Sequence, residues 1–278
     1  MEYDLSNWPE IDLQKVRASF SEVPLGAYPE LAGYSRADIH EGLQGQGGLF
    51  LASDMARMLN LQPGMRVLDL GSGAGTTSIF LARTYRVSVY AVDEQFPESL
   101  SQRASALGVG DLVCPIRSDC RQLPFSTDYF DAVFSMNDLF YFGTDDFFPS
   151  YLLRFIKEGG ELVVGSPCYR DELSDDAPEE FLLEFPACMA VHSPEWWRHH
   201  FAKTGQALVL HSELHPRGVE FWEDRVRFLL EAQASKDLSP RRRDMIYAII
   251  RMLNRDVNGF VSHFMLHAKK INQGKGVA

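Results

Sequence analysis

Residues 67–75 constrain the fold of this chain more than any other segment. They read Val-Leu-Asp-Leu-Gly-Ser-Gly-Ala-Gly, an apolar run of strand length that leads into a loop with glycine at every second position. A helical pattern follows over residues 76–82. Because glycine has no side chain, such a strand–loop–helix joint lets a ligand approach the backbone closely. The free N–H groups at the start of the helix can bind a negative or polar ligand group.

The spacing of these glycines separates two kinds of ligand site. A dinucleotide-binding loop has the pattern G-x-G-x-x-G and holds a pyrophosphate at the helix N-terminus. Here the spacing is G-x-G-x-G, and Asp69 stands two residues before the first glycine. A carboxylate at that position repels a pyrophosphate and suits a cationic amino group. The run resembles motif I of the class I S-adenosylmethionine-dependent methyltransferases, in which the loop holds the methionyl end of the cofactor.

Four more strands are predicted after the glycine loop, at residues 87–92, 113–116, 130–136 and 161–165. The first of them ends at Asp93 and Glu94, about 20 residues beyond the loop, where an acidic side chain can accept hydrogen bonds from ribose hydroxyls. Asp93 is the preferred residue for this role, and Glu94 is the alternative. A turn at residues 157–160 precedes the last strand. In open α/β sheets the carboxyl ends of the strands form the ligand-binding edge.

The family resemblance implies further cofactor contacts. In the family, an Asp after the third strand binds the adenine amino group, and Asp119 matches that position, with Cys120 beside it. Cofactor contacts are therefore expected from the glycine loop, from the ends of the first four strands and from a glycine-rich segment before them: Asp69, Gly71, Ser72, Gly73, Gly75, Thr76, Asp93, Glu94, Asp119, Cys120, Asn137, Gly47 and Gly48.

The resemblance also implies the fold class, an α/β, Rossmann-like fold. Its seven-stranded, mostly parallel sheet has the strand order 3-2-1-4-5-7-6 and carries helices on both faces. The sixth and seventh strands are predicted at residues 207–212 and 260–269, with the sixth parallel to the first five. Almost fifty residues separate these two strands, where the family usually has a short hairpin. This insertion is expected to help cover the substrate pocket.

The chain divides into an N-terminal helical lid, residues 1–63, and a methyltransferase domain, residues 64–278, whose helical cap insertion occupies residues 214–258. Small-molecule methyltransferases often fold such an N-terminal segment over the cofactor. In the alternative, the glycines at 45–48 only join two helices.

Candidates for catalysis follow the fourth strand, where the reacting methyl group is expected. Asp138 is placed to orient an amine or accept a proton, and Tyr141 to hydrogen-bond the acceptor. Alternatively, Asp138 caps the next helix and Tyr141 lines the wall. His40 on the lid is a further candidate base, although a single histidine is more often structural. Substrate contacts are expected from Tyr34, Glu41, His192 and Trp222.

The charge and the cysteine content of the chain limit which binding partners and metal sites are expected. The net charge of −11 argues against a nucleic-acid surface, which is usually basic. The four cysteines, Cys114, Cys120, Cys168 and Cys188, form no closely spaced metal-ligand pair, and a chain of this length needs no disulfide frame. No apolar run of about 18 residues is present. A cytoplasmic protein, monomeric or homodimeric, without a metal or membrane contact is expected.

The predicted activity is in-line transfer of a methyl group from S-adenosylmethionine to a small-molecule acceptor, with S-adenosylhomocysteine as product. The resemblance is to the menaquinone-methyltransferase-like branch and spans roughly residues 45–215. Whether the nucleophile is nitrogen, oxygen, sulfur or carbon stays open. The alternatives are a non-catalytic S-adenosylmethionine-binding protein or partner subunit, an arsenite methyltransferase, a cyclopropane-type transfer to a lipid, and a dehydrogenase that binds NAD.

Overall fold

A single sheet of seven strands lies at the centre of the computed structural model, which describes residues 12–43, 45–95, 99–172, 190–233, 246–250, 253 and 260–272. The strands are β1 (Arg66–Leu70), β2 (Ser88–Asp93), β3 (Val113–Arg117), β4 (Phe130–Met136), β5 (Ile156–Tyr169), β6 (Ala207–Leu214) and β7 (Val261–Lys270). Their order in the sheet is β3-β2-β1-β4-β5-β7-β6. The predicted fold class and strand order are confirmed.

Strand directions place one edge of the sheet at the glycine loop. β1 to β5 run parallel, and β7 is antiparallel to both of its neighbours, so that β6 is parallel to the first five strands as predicted. The carboxyl ends of β1, β2 and β4 therefore lie side by side. This is the edge where ligands bind in open parallel sheets.

Residues 246–250 are helical, and eight further α-helices have both of their bounds within the described residues. They are α1 (Leu13–Ser19), α2 (Arg36–His40), α3 (Gly48–Met58), α4 (Thr76–Tyr85), α5 (Leu100–Ala106), α6 (Phe148–Leu153), α7 (Pro194–Ala202) and α8 (Gly218–Gln233). Two of them begin after a serine whose side chain caps the helix. Ser35 forms a capping box with Asp38 before α2, and Ser193 caps α7, which has proline at its first position.

Alternation along β1 shows why the sheet is covered on both faces. Val67 belongs to one apolar cluster, together with α3 and α4 residues, whereas Leu68 and Leu70 belong to a second cluster on the other face. Successive side chains of a strand point to opposite faces, so a strand that is apolar at both kinds of position is buried between two layers. Helix α3 packs mainly on β5, where Gly165 leaves room for Met55 of the helix.

β5 and β6 are longer than the sequence predicts. The predicted turn at 157–160 lies inside β5, because pairing between Phe130 and Ile156 starts the strand before an irregularity in register. β6 continues to Leu214, since its pairing with β7 extends to Phe264. The predicted insertion therefore begins after β6, and its described part consists of α8 and residues 246–250 and 253.

The inserted helix α8 contacts both β7 and the N-terminal helices α1 and α2. The two additions to the sheet, one before β1 and one between β6 and β7, thus pack on each other. The remainder of the insertion that the sequence predicts as helical, residues 234–245 in particular, lies outside the described residues. Of the helices that the structure describes, none is long and apolar enough to cross a bilayer.

Candidate cofactor and active site

The glycine loop connects the end of β1 to the start of α4. The amides of Gly71 and Ser72 both donate to the carbonyl oxygen of Val92, each at 3.0 Å, so the loop is fastened to the end of β2. Gly71 has a φ of +74°, a conformation that favours glycine. A β-carbon at Gly73 would meet nothing within 4 Å. At Gly73 the loop therefore presents bare backbone to open space, as a ligand cradle requires.

Asp93, at the end of β2, is bound to the same loop. Its Oδ2 accepts a hydrogen bond from the amide of Gly73 at 2.8 Å, and its Oδ1 accepts one from the amide of Gln95 at 2.8 Å. The carboxylate is thus held in place beside the open face of the loop. Its role toward ribose hydroxyls stays a prediction.

Asp69 lies under the loop rather than on its open face. It is 1% exposed and accepts a hydrogen bond from the hydroxyl of Ser78 on α4. Burial raises the pKa of the Asp69 carboxyl to about 7, and the charge of Asp93 adds to this effect. In this structure the side chain joins strand to helix, and a direct contact with a ligand stays a prediction.

Asp138 follows β4 and faces the glycine loop. A β-carbon built on Gly71 would overlap its carboxylate, so the two residues are in direct contact. Burial raises the pKa of Asp138 to about 7, with further contributions from the charges of Asp93, Asp69 and Glu94. Its side chain makes no capping bond to the short 3-10 helix Leu139–Tyr141 that follows. The alternative role as a helix cap is therefore absent from this structure.

Carboxylates dominate the electrostatics of this edge of the sheet. Asp93 raises the pKa of both Asp69 and Asp138, which shows that the three groups lie near enough to repel one another. A cationic ligand group would relieve that repulsion, because an opposite charge within about 4–6 Å favours the ionised carboxylate. The residues present thus fit a ligand that carries positive charge near a bare backbone loop.

Asp119 and Cys120 occupy the end of β3. Both carboxylate oxygens of Asp119 face the guanidinium of Arg121, with Nε–Oδ1 and Nη2–Oδ2 distances of 3.0 and 3.1 Å, and this pairing lowers the pKa of Asp119. Cys120 is buried, and burial raises the pKa of its thiol far above the usual range. The adenine contact stays a prediction, and Arg121 is a neighbour that the sequence analysis missed.

Residues 40–43 and 45–48, which we call the overlying segment, contact the glycine loop and the end of β4. The hydroxyl of Thr76 donates to the carbonyl of Glu41 at 3.1 Å, and the side-chain amide of Asn137 donates to the carbonyl of Gln46 at 2.8 Å. A β-carbon at Gly42 would lie 2.7 Å from Oγ1 of Thr76. Glycine at position 42 therefore permits this close approach.

The predicted lid residues His40 and Tyr34 face other parts of the protein. His40 is 1% exposed, its Nε2 lies 2.9 Å from Oδ2 of Asp224, and its ring stacks on Phe228 at 4.7 Å. Burial lowers the pKa of His40. Tyr34 packs edge-on against Phe80 of α4, with ring centroids 6.5 Å apart. Neither ring is brought together with Asp138.

The remaining candidates are dispersed. Trp222 is 2% exposed and packs in the core beside His263, so it is no pocket wall in this structure. His192 stacks on Trp196 at 3.8 Å, and its Nδ1 lies 3.0 Å from Glu172. Tyr141 is 65% exposed, and its amide donates to the carbonyl of Asp138 at 2.9 Å. The side chain of Glu41 is exposed as well.

Three buried or half-buried cations near the site gave no signal in the sequence. Arg103 of α5 donates to the carbonyl of Ala74 at 2.8 Å and to the hydroxyl of Thr76 at 3.1 Å, which braces the glycine loop from outside. Arg36 donates to the carbonyl of Val23, and Arg225 donates to the carbonyl of His40. No motif marks such residues, because their partners are distant in sequence. Within the described ranges, no group of three or more His, Cys, Asp or Glu side chains is arranged to hold a metal ion.

Comparisons with known proteins agree with this geometry. Residues 67–160 match the family model described as a methyltransferase domain. Phosphoethanolamine N-methyltransferase 3 of Arabidopsis thaliana is 25% identical over 131 residues, which are 46% of this chain and 26% of that protein. Sterol 24-C-methyltransferase of Yarrowia lipolytica is 28% identical over 127 residues, which are 45% of this chain and 33% of that protein.

Among solved structures, phosphoethanolamine N-methyltransferase 2 of Haemonchus contortus in complex with S-adenosyl-L-methionine is similar in fold. It is 19% identical, with a TM-score of 0.68, and the match covers 90% of this chain and 60% of that chain. The fold is thus shared across most of the chain. By contrast, the chain spans only about a quarter to a third of the length of the two curated relatives.

Proposed function

Residues 67–160 are a class I, S-adenosylmethionine-dependent methyltransferase domain, and from this premise we propose that the chain transfers a methyl group from S-adenosylmethionine to a small-molecule acceptor. One observation carries the proposal. Asp93 and Asp138 stand beside the bare Gly71–Gly73 backbone, and the charge of Asp93 helps to raise the pKa of Asp138. This edge suits a cofactor with a positive sulfonium and a positive ammonium group.

The residues of the chain divide the binding of the cofactor among them. The glycine loop and the first amides of α4 hold the methionyl end, Asp93 binds the ribose hydroxyls, and Asp119 binds the adenine amino group. When bound, S-adenosylmethionine supplies a methyl group that its sulfonium already activates. The overlying segment excludes water above the loop through its contacts with Thr76 and Asn137.

Asp138 is the proposed proton acceptor. Its carboxyl has a pKa of about 7, so the group exchanges a proton near neutral pH. The position after β4, in contact with Gly71, places it beside the cofactor loop. Tyr141, three residues further and largely exposed, is proposed to contact the acceptor as it enters.

The acceptor is a small molecule, and its nucleophilic atom is open. The named relatives include an N-methyltransferase and a C-methyltransferase on the same kind of domain. Since one fold serves both chemistries, the sheet and the glycine loop do not select the nucleophile.

Calorimetric titration of the purified chain with S-adenosylmethionine, S-adenosylhomocysteine and NAD tests the proposal. We expect the first two to bind with dissociation constants on the order of micromolar and NAD to give no heat. Binding of NAD alone, or of none of the three, would contradict the proposed cofactor. If the first two bind, formation of S-adenosylhomocysteine in the presence of candidate acceptors distinguishes an enzyme from a non-catalytic binding protein.

A further inference from the structure

Arg225, on the inserted helix α8, holds the backbone of the overlying segment. It is 5% exposed, and its guanidinium donates to the carbonyl oxygens of His40 at 2.8 Å and Leu43 at 2.6 Å. Both carbonyls belong to the stretch in which helix α2 ends and the segment turns toward the glycine loop. A planar guanidinium donates in a fixed geometry, so two bonds from one side chain define where these two carbonyls lie.

Asp224, the residue before Arg225 on α8, also binds the N-terminal part of the chain. Its Oδ1 accepts a hydrogen bond from the amide of Val23 at 2.9 Å, and its Oδ2 lies 2.9 Å from Nε2 of His40. Arg36 of α2 also pairs with this carboxylate. These pairings and hydrogen bonds lower the pKa of Asp224 although it is buried. These neighbours therefore favour the ionised form of the Asp224 carboxylate.

Two other carbonyls of the overlying segment are bound by cofactor-site residues. Thr76, at the start of α4, donates to the carbonyl of Glu41, and Asn137, at the end of β4, donates to the carbonyl of Gln46. Arg225 binds the carbonyls immediately before Glu41 and two residues after it. The segment is thus held both by the inserted helix and by residues of the cofactor site.

We propose that Arg225 is a positioning residue for the cofactor site: it orders the overlying segment, and through that segment it sets the affinity for S-adenosylmethionine. The inference rests on the proposed function, because it assumes that the glycine loop holds this cofactor. Apolar packing of α8 also contributes, since Phe228 stacks on His40 and Phe221 lies near Gly47. Apolar contact is non-directional, however, whereas the buried guanidinium selects one position of the backbone.

The experiment compares Arg225→Met with Arg227→Met. Methionine keeps an unbranched apolar stem and removes the guanidinium. Arg227 is a matched control on the same helix, because it donates to the carbonyl of Phe20 at 3.2 Å and pairs with Glu22, outside the overlying segment. Amide hydrogen exchange over residues 36–48, measured without ligand, reports the order of the segment. Calorimetry with S-adenosylmethionine reports affinity, and urea unfolding checks that each variant is folded.

We expect Arg225→Met to accelerate exchange over residues 36–48 and to weaken S-adenosylmethionine binding, each by about tenfold or more, because two hydrogen bonds from a charged donor are lost. Arg227→Met should change neither by more than about twofold. Arg225→Lys, which retains the charge but not the two-pronged donor, should fall between wild type and Arg225→Met. This variant also serves if Arg225→Met fails to fold.

Two results would overturn the inference. Unchanged exchange in Arg225→Met shows that packing alone orders the segment. Faster exchange with unchanged affinity shows that the order of the segment does not reach the cofactor site. A wild type that binds no S-adenosylmethionine overturns the proposed function instead, and the exchange measurement, which needs no ligand, still decides whether Arg225 orders the segment.

Discussion

Asp138 packs so closely against Gly71 that a β-carbon on the glycine would overlap the carboxylate. The contact joins the loop after β1 to the residue that follows β4, two strands that pair side by side. It places a carboxylate of raised pKa against the backbone that is proposed to hold the cofactor. This contact therefore depends on the absence of a side chain at position 71.

Gly71→Ala is expected to destabilise the site in two ways, by backbone strain and by a clash with Asp138. Gly71 has a φ of +74°, and its new methyl group would overlap Asp138. Gly64→Ala is a matched control, since Gly64 has a φ of +84° and open space around a β-carbon. Each variant should lose about 1–3 kcal/mol from backbone strain, and Gly71→Ala should lose more. Urea unfolding measures the difference, and equal losses would show that the Asp138 contact costs nothing.

Asp138→Asn is expected to change how stability depends on pH. The pKa of Asp138 rises from 3.8 to about 7 on folding, so between these values the folded chain holds a proton that the unfolded chain has lost. The free energy of unfolding of the wild type therefore falls as pH rises through this window. Asparagine does not titrate, and the variant should gain on the order of 3 kcal/mol relative to wild type between about pH 4.5 and about pH 7.5.

Urea unfolding of both proteins across this pH range, without ligand, makes the comparison. Asp69 adds a slope of the same sign, because its pKa is also raised to about 7, and it is present in both proteins. Parallel curves for wild type and variant would argue that Asp138 ionises normally in the folded chain.

Asp93→Ala is expected to weaken S-adenosylmethionine binding by at least about tenfold, since hydrogen bonds to a charged group contribute about 1.5–3 kcal/mol. The variant also leaves the amide of Gly73 without its acceptor, so the loop itself should loosen. Asp111→Ala, at an exposed site on the 3-10 turn before β3, is the charge-matched control. Calorimetry on both variants tests the ribose assignment, which an unchanged affinity in Asp93→Ala would refute.

At Asn137, the effect of the backbone conformation on stability can be separated from the effect of the side chain on cofactor binding. Its φ is +59°, which Asn and Gly tolerate, and its side chain donates to the carbonyl of Gln46. Asn137→Gly keeps the backbone conformation and removes the amide, so we expect weaker cofactor binding with little loss of stability. Asn137→Ala should show the same loss of binding plus about 1 kcal/mol of strain. Thermal unfolding and calorimetry measure the two effects, and a cofactor affinity that neither substitution changes would show that the Gln46 contact is not needed.

Local signals were enough for much of the fold. The glycine loop and the buried strands each depend on residues within a few positions of one another, and the strands that they predicted are present. The strand order came from the family resemblance. The start of β5 could not be read locally, since Ile156 is included by its pairing with Phe130 on another strand.

The candidate site was predictable where side chains follow directly from strand ends. Asp93 and Asp138 lie at the expected edge because parallel strands bring their carboxyl ends together. His40 and Trp222 were chosen for their chemistry, and the structure buries both, one against Asp224 and the other beside His263. His40 is surrounded by residues of α8, about 180 positions away in the sequence, and Trp222 packs beside β7.

By itself, then, the sequence determined the α/β class, the ligand-binding edge and the acidic character of the loop, because backbone geometry and side-chain alternation act over short stretches of chain. The contact of Asp138 with Gly71 and the hydrogen bonds from Arg225 to the carbonyls of His40 and Leu43 join residues that are far apart in the sequence, and they form only in the folded chain. Hydrogen bonds and charge interactions depend on distance in space, and no sequence spacing encodes the packing of α8 against the N-terminal segment.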